Sequence, residues 1–275
     1  MKLEGKVALV TGGGQGIGRG IVHCLAEEGA DVAIADMNEE TAGTTAEEVT
    51  AMGRQSLVVT GNVTDSSQVD SIIQKPIDTF GRIDILVNNV GGGVRVKRTK
   101  PKEERTGIIL ADAEEEAWDK TMDLNAKSQF LMCRAIIPHF VEQKAGKIVN
   151  IGSRLSRQLD LSLALYCVSK AAVISYTKHL ALELAQYNIN VNAVCPGDVL
   201  SPNIERAFQM GIDANPDNKG KTPEDMFNEL AGPRIAFNHI QTAEDMGRAT
   251  TFLVSEDAKN ITGQALYVDG GQTFI

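Results

Sequence analysis

Between Lys6 and Gly29 the chain passes from a short apolar, β-branched run (KVALVT) into Gly12-Gly13-Gly14-Gln15-Gly16-Ile17-Gly18, then into an amphipathic stretch from Arg19 to Glu28 that Gly29 closes. These are the signals of a buried strand, a tight turn and a helix. Glycines let the main chain approach a ligand where a Cβ would collide. The turn's N–H groups and the helix N-terminus together suit a pyrophosphate. A second apolar run, Ala30 to Ala35 (ADVAIA), ends at Asp36. An acid about twenty residues past such a turn fits a ribose 2′-hydroxyl and repels a 2′-phosphate. No Arg or Lys stands between Gly12 and Gly18. The expected cofactor is therefore NAD rather than NADP, with a ligand-free structural turn as the alternative.

Further strand-like runs recur at Ser56–Val59, Ile83–Val87, Lys147–Ile151, Asn190–Val194 and Ala265–Val268, separated by helical patterns. Strands alternating with helices imply parallel pairing through crossovers. The 275 residues, 43% of them hydrophobic, suffice for one large core, so a single α/β domain over residues 1–275 is expected. No run is apolar enough to span a bilayer and no signal peptide precedes the first strand, which gives a cytoplasmic expectation with no membrane partner. Cys24, Cys133, Cys167 and Cys195 are scattered without a C-x-x-C, so they read as reduced packing residues and no metal is expected. A net charge of −9 argues against nucleic acid as a partner.

Tyr166 and Lys170 stand four residues apart in a helical run (YCVSKAAVISYTKHLALEL), thirteen residues after Ser153. At that spacing the phenol and the ammonium share one helix face. A tyrosine, with a pKa of about 10, is a poor base at neutral pH. A neighbouring cation favours the phenolate and makes it a usable proton acceptor.

The set Thr11-Gly12-x-x-x-Gly16-x-Gly18, Asn88-Asn89-Val90-Gly91, Asn125, Ser153, Tyr166-x-x-x-Lys170 and Pro196-Gly197 resembles the short-chain dehydrogenase/reductase family. The resemblance runs from Gly5 to the closing Tyr267-Val268-Asp269-Gly270-Gly271. It implies a single doubly wound Rossmann-type domain, with a central parallel sheet of about seven strands flanked by helices. It also implies hydride transfer between a nicotinamide and a small-molecule alcohol or ketone. Tyr166 would then be the acid–base, and Lys170 would lower its pKa and hold the nicotinamide ribose. Ser153 would hydrogen-bond the reacting oxygen, and Asn125 would position a water linking Lys170 to solvent. For the cofactor, the resemblance implies Gly12, Gln15, Gly16, Ile17 and Gly18 at the pyrophosphate and Asp36 at the ribose. Asn62 and Val63 fall at the adenine, Asn89 and Gly91 near the adenosine ribose, and Pro196, Gly197 and Val199 beside the nicotinamide. Asn62 stands where many members carry Asp, and Val90 where alanine is usual. Asn88 reads as a structural tie between strands. Ser156 is a rival to Ser153.

Two segments exceed the family's common length. Residues 92–110 hold a basic insertion: Val94 to Arg105 contains Arg95, Lys97, Arg98, Lys100, Lys102 and Arg105 against Glu103 and Glu104, so +6 − 2 = +4. It reads either as an attractor for an anionic substrate or as a solvated loop, one able to pair with Asp112, Glu114, Glu115 and Glu116. Arg154 and Arg157 are further candidate anion contacts. Residues 198–241 correspond to the family's substrate lid. Its apolar Ile204, Phe208, Met210, Met226, Phe227 and Leu230 predict short helices over a partly hydrophobic substrate. His239 reads as a surface or core histidine. Asn125 is placed within one helix from about Glu116 to Phe140, and Pro76 is expected to kink or break its helix. The resemblance implies a homotetramer, with one interface along the helices that hold Pro138 and Ala171–Tyr187 and another along the last strand.

Three readings of function stay open. They are an NAD-dependent dehydrogenase of a cyclic or acidic secondary alcohol, a 3-oxoacyl thioester reductase, and a catalytically silent partner subunit.

Overall fold

A computed structural model describes residues 1–93, 106–215 and 218–274. The basic run at 94–105 lies outside the described residues. Seven strands form one sheet: β1 (Val7–Thr11), β2 (Asp31–Asp36), β3 (Ser56–Thr60), β4 (Ile85–Asn88), β5 (Gly146–Ile151), β6 (Ile189–Pro196) and β7 (Ala265–Val268). Every pairing is parallel, in the order β3-β2-β1-β4-β5-β6-β7. The order reverses between β1 and β4, which opens a crevice at the carboxyl ends of these two strands. The glycine turn leaves β1 at that point, and Asn89 to Gly91 leave β4.

The strands alternate their side chains between two cores, as a period of two requires. Ala8, Val10, Val32 and Ile34 face α1 (Gly16–Glu27), α2 (Glu39–Ala51) and α9 (Ala243–Val254). Leu9, Ala33, Ala35 and Leu86 face α3 (Ser66–Phe80), α5 (Ser128–Gln143) and α6 (Ala164–Leu184). On the first face the helices α1 and α9 nearly touch. A Cβ on Gly20 would lie 2.6 Å from the Ala243 carbonyl carbon, and one on Gly247 would lie 2.5 Å from Cys24 Sγ. All four cysteines are buried and free.

Two helices carry irregular positions. Helix α3 continues through Pro76 to Phe80 instead of breaking. Pro76 is buried with Val69, Ile72 and Ile73, and that burial offsets the one lost backbone hydrogen bond. The helix expected from Glu116 to Phe140 is present as one continuous run from Glu115 to Gln143 with a π-turn inside it. An α-helix, α4 (Glu115–Met122), passes through a π-turn at Asp123–Lys127 into α5.

The segment 198–241 contributes α7 (Pro202–Ala214) and α8 (Pro223–Ala231), each started by a side-chain cap from Ser201 and Thr222. Short helices were expected there, but their apolar residues have another use. Phe227, Ala231 and Ile235 are buried together against Ile204 and Phe208, and the rings of Phe208 and Phe227 lie 5.6 Å apart. Met210 and Leu230 are exposed. The segment thus has its own small core, and these side chains do not argue for a hydrophobic substrate.

Candidate active site

Backbone geometry shapes the floor of the crevice. Gly12 and Gly16 adopt φ of 64° and 55°, a left-handed conformation that costs glycine nothing. A Cβ on Gly18 would lie 2.0 Å from Gly12 O, so α1 starts in direct backbone contact with the turn. Asn89 fixes the turn from the side: its Nδ2 donates to Thr11 O and Gly12 O, both at 3.0 Å. The Thr11 hydroxyl accepts from the N–H groups of Asn89 and Val90 at 3.0 and 3.2 Å. The Asn89 amide is therefore engaged by the protein's own backbone.

The Asp36 carboxylate accepts from the N–H of Gly14 and of Asn38, each at 3.0 Å. It is held at the mouth of the turn, and a Cβ on Gly14 would come within 3.0 Å of its Oδ2. Glu39 and Glu40 follow at the start of α2, so the rim is acidic. The arginine next to the turn, Arg19, is paired with Glu48. At the end of β3, Asn62 Oδ1 accepts from the Thr64 N–H and hydroxyl, which leaves the Asn62 NH₂ as the donor for a base edge.

Helix α6 carries Tyr166 and Lys170 and is pinned to β5 at two levels. Asn150 Nδ2 donates to Thr177 Oγ1 at 2.9 Å, and Lys170 Nζ donates to Ile151 O at 2.8 Å. Lys170 and Thr177 are seven residues apart and so share a helix face. Asn88 extends the chain by donating to Asn150 Oδ1 at 2.9 Å, a tie between β4 and β5 as expected.

Lys170 is 2% exposed, and its Nζ lies 5.7 Å from the centre of the Tyr166 ring. Gly91 fills the space between this ammonium and Asn125. A Cβ there would meet Asn125 Oδ1 at 2.7 Å and Lys170 Nζ at 2.9 Å. Asn125 sits in the π-turn, fully buried, where its amide exchanges two hydrogen bonds with the Gly92 backbone and a third with Thr121 O. A π-turn inside an α-helix commonly marks a functional site, and it accounts for an asparagine at a helix interior.

Ser153 lies two residues beyond β5 and caps the short turn Arg154–Ser156. Its Oγ accepts from the Leu155 N–H at 3.1 Å. The Ser153 hydroxyl hydrogen-bonds the Tyr166 phenol and favours its phenolate. The rival Ser156 instead meets the Tyr267 hydroxyl at 3.1 Å.

The electrostatics differ from the sequence expectation. In the protein alone burial raises the Tyr166 pKa above the usual phenol value, and the Ser153 hydrogen bond opposes it. Burial also takes Lys170 down to about 8, so its ammonium is a weaker partner than an exposed lysine would be.

At the end of β6, Pro196 pairs with Val268. A Cβ on Gly197 would lie 2.3 Å from Gln241 Oε1, and Val199 bridges to Gln241. Arg154 is tied to Asp198 at 3.2 Å, and Arg157 lies over the rings of Tyr267 and Phe274 at 5.9 and 5.7 Å. Both arginines thus have intramolecular partners in place of the anion contacts expected from sequence. Asp198, Arg234, Gln241 and Gln272 were missed as neighbours of the site, because they approach it only through the fold.

The short-chain dehydrogenase model matches residues 6–210. The chain belongs to the short-chain dehydrogenase/reductase family. It is 33% identical over 271 residues to a 3-oxoacyl-[acyl-carrier-protein] reductase of Thermotoga maritima, covering 98% of this chain and 99% of the relative. It is 34% identical to a sorbitol dehydrogenase of Cereibacter sphaeroides, covering 98% of each. Among solved structures it is similar to an NAD+-bound xylitol dehydrogenase, with a TM-score of 0.84, 28% identity, and coverage of 98% of this chain and 100% of the other. It is thus an oxidoreductase of this family. Among the described residues no helix is long and apolar enough to cross a membrane, and no group of His, Cys, Asp or Glu is arranged to hold a metal.

Proposed function

We propose that this chain is an NAD-dependent oxidoreductase of the cytoplasm that interconverts a secondary alcohol and its ketone, mainly in the oxidative direction. The observation that carries the reading is the convergence of Ser153, Tyr166 and Lys170 beside the crevice whose floor is the glycine turn. That turn fits a dinucleotide, since its glycines leave a cradle that side chains would fill. Gly12, Gln15, Gly16, Ile17 and Gly18 would hold the pyrophosphate, and Asp36 a ribose diol. Asn62 and Val63 would meet the adenine, and Asn89 and Gly91 the adenosine ribose by position. Tyr166 and Lys170 would meet the nicotinamide ribose, with Pro196, Gly197 and Val199 flanking the ring. When bound, the oxidised cofactor supplies the hydride acceptor.

The protein's share is to hold the alcohol oxygen and move its proton. Ser153 donates to that oxygen, and the Tyr166 phenolate takes the proton as the carbonyl forms. Lys170, with one of its three donors on Ile151 O, favours the phenolate and offers the others to ribose hydroxyls. Asn125 would position a water between Lys170 and solvent. The helices of 198–241 would close over the substrate and exclude water.

The test is a rate assay on purified protein that follows reduced nicotinamide with a panel of secondary alcohols. NAD should be preferred over NADP by roughly a hundredfold, because a 2′-phosphate would meet the Asp36 carboxylate. Equal use of the two cofactors removes Asp36 from this role.

A pH profile gives a second check. Oxidation requires Tyr166 deprotonated, and burial raises its pKa, so kcat/KM for the alcohol should climb with pH from neutral into the alkaline range. Ketone reduction requires the protonated phenol and should fall over the same range. An oxidation profile that declines with pH contradicts this assignment.

The likeness to an acyl-carrier-protein reductase over nearly the whole chain favours one second reading, reduction of 3-oxoacyl thioesters. The Asp36 carboxylate weighs against it where NADPH is the reductant. The intact Asn125, Ser153, Tyr166 and Lys170 weigh against a silent subunit. A homotetramer fits the exposed Phe130, Val168 and Leu182 on α5 and α6; a monomer by light scattering would remove that part of the reading.

A further inference from the structure

Lys170 shares its backbone acceptor with a second side chain. Its Nζ donates to Ile151 O at 2.8 Å, and Gln129 Nε2, from α5, donates to the same oxygen at 3.3 Å. A carbonyl only accepts, so the amide has one workable orientation, with Nε2 on Ile151 and Oε1 turned away. Gln129 is 1% exposed, and its Oε1 has no hydrogen-bond partner among the described residues. An amide oxygen shut off from bulk water and unpaired is costly. In protein interiors such an atom is commonly satisfied by an ordered water, which needs further polar partners of its own.

The Lys170 ammonium is the neighbour able to complete such a site. It spends one of its three N–H donors on Ile151 O and stands beside Gln129 around that oxygen. Asn125, on the far side of Gly91 from Lys170, has little left to hold a water with its side chain. Its Nδ2 gives both hydrogens to Gly92 O and Thr121 O, and its Oδ1 accepts from the Gly92 N–H.

The charged groups around Lys170 give its ammonium little help. Facing it are the Tyr166 phenol on its own helix and the Cys195 thiol on β6, which burial pushes up to about 11 and so keeps neutral. Asp123 and Lys127 of the π-turn pair with each other at 3.0 Å, and Arg154 after β5 acts on Tyr166. Neutral acceptors are therefore what offsets the burial of this lysine.

We propose that Gln129 is a positioning residue for Lys170: its Oε1 accepts from a buried water, and that water accepts from the Lys170 ammonium. Water and amide both turn their negative ends toward the lysine, so the chain favours the charged form. The consequence for turnover rests on the oxidoreductase reading above, whereas the link to Lys170 does not.

The test follows the Lys170 ε-carbon resonance across pH in the full chain with isotope-labelled lysine and no dinucleotide, the signal being assigned by its loss in Lys170→Arg. Gln129→Met keeps length and volume but removes the amide, and its Lys170 titration midpoint should fall by about one pH unit, the scale of one hydrogen bond to a charged group. Gln129→Glu keeps an acceptor and adds a carboxylate, so its midpoint should rise above the wild type. In Gln129→Met the rise of kcat/KM for alcohol oxidation should also move to higher pH, because less ammonium remains to favour the phenolate. A merely structural tie between α5 and β5 would lower the melting temperature and leave the midpoints in place. Midpoints unmoved in the folded variants overturn the link. Should Gln129→Met fail to fold, a Gln129→Glu midpoint at or below the wild type overturns it. A moved midpoint with an unmoved rate profile overturns the role in turnover. No turnover of any secondary alcohol or ketone by the wild type removes the oxidoreductase reading, and the Lys170 titration still decides the link.

Discussion

Tyr166→Phe is expected to lower kcat for alcohol oxidation by about 10²–10⁴-fold, the range for losing a positioned general base, while NAD affinity stays within a few-fold. The substitution removes one oxygen from a side chain whose ring stays in place over Lys170. The glycine turn, Asp36 and the Lys170 bond to Ile151 O are untouched by it, so the dinucleotide site keeps its shape. Ser153 keeps its bond from the Leu155 N–H and remains able to polarise the substrate oxygen. Proton removal is therefore the function isolated. Stopped-flow absorbance gives the rate, and quenching of protein fluorescence by NAD gives the affinity. A variant that turns over at the wild-type rate would transfer the proton role to another group.

The electrostatic setting gives that prediction its interest. Sequence spacing places a cation next to the phenol, and the simple expectation is a depressed phenol pKa. In the protein alone burial outweighs it, because desolvation disfavours the charged form of both partners: the phenolate of Tyr166 and the ammonium of Lys170. The opposing influence comes from Ser153, which donates to the phenol. Burial thus favours the protonated phenol in the protein alone, and a further positive charge at the crevice would favour the phenolate.

The fold was legible because each strand is a local feature. Runs such as VALVT and DVAIAD are buried on both sides by helices, which leaves a continuous apolar signal that no distant residue is needed to interpret. The nearness of Tyr166 and Lys170 was legible for the same reason: they sit on one helix face, and Ser153 follows the end of the preceding strand. What escaped were contacts between residues far apart in sequence. Arg154 reads as a free cation until Asp198 folds against it, and Arg157 until Tyr267 and Phe274 do. Pro76 reads as a breaker because burial of its ring is a tertiary effect. The π-turn at Asn125 has no periodic signature, since it adds a single residue to one turn of an otherwise regular helix.

Gly18→Ala is expected to lower dinucleotide affinity by more than about tenfold and to cost roughly 1–3 kcal/mol of stability, the usual range for an overpacked site. The added methyl would fall 2.0 Å from Gly12 O, 2.8 Å from Gly12 C and 2.6 Å from Asn89 Nδ2. Two of these atoms are backbone, so no rotamer change relieves the contact. The turn must move off the start of α1, which stretches the Asn89 bond to Gly12 O and carries the N–H groups away from the pyrophosphate position. Gly43→Ala is the matched control. Gly43 lies inside α2, and a Cβ there meets nothing within 4 Å. It should gain about 0.5–1 kcal/mol from helix propensity and reduced unfolded-chain entropy. The same chemical change thus acts with opposite sign at two helical glycines, and thermal melts with and without NAD read both effects. Unaltered NAD binding in Gly18→Ala would mean that the helix start can separate from the turn without loss of the site, and the close backbone contact would then have no part in holding the cofactor.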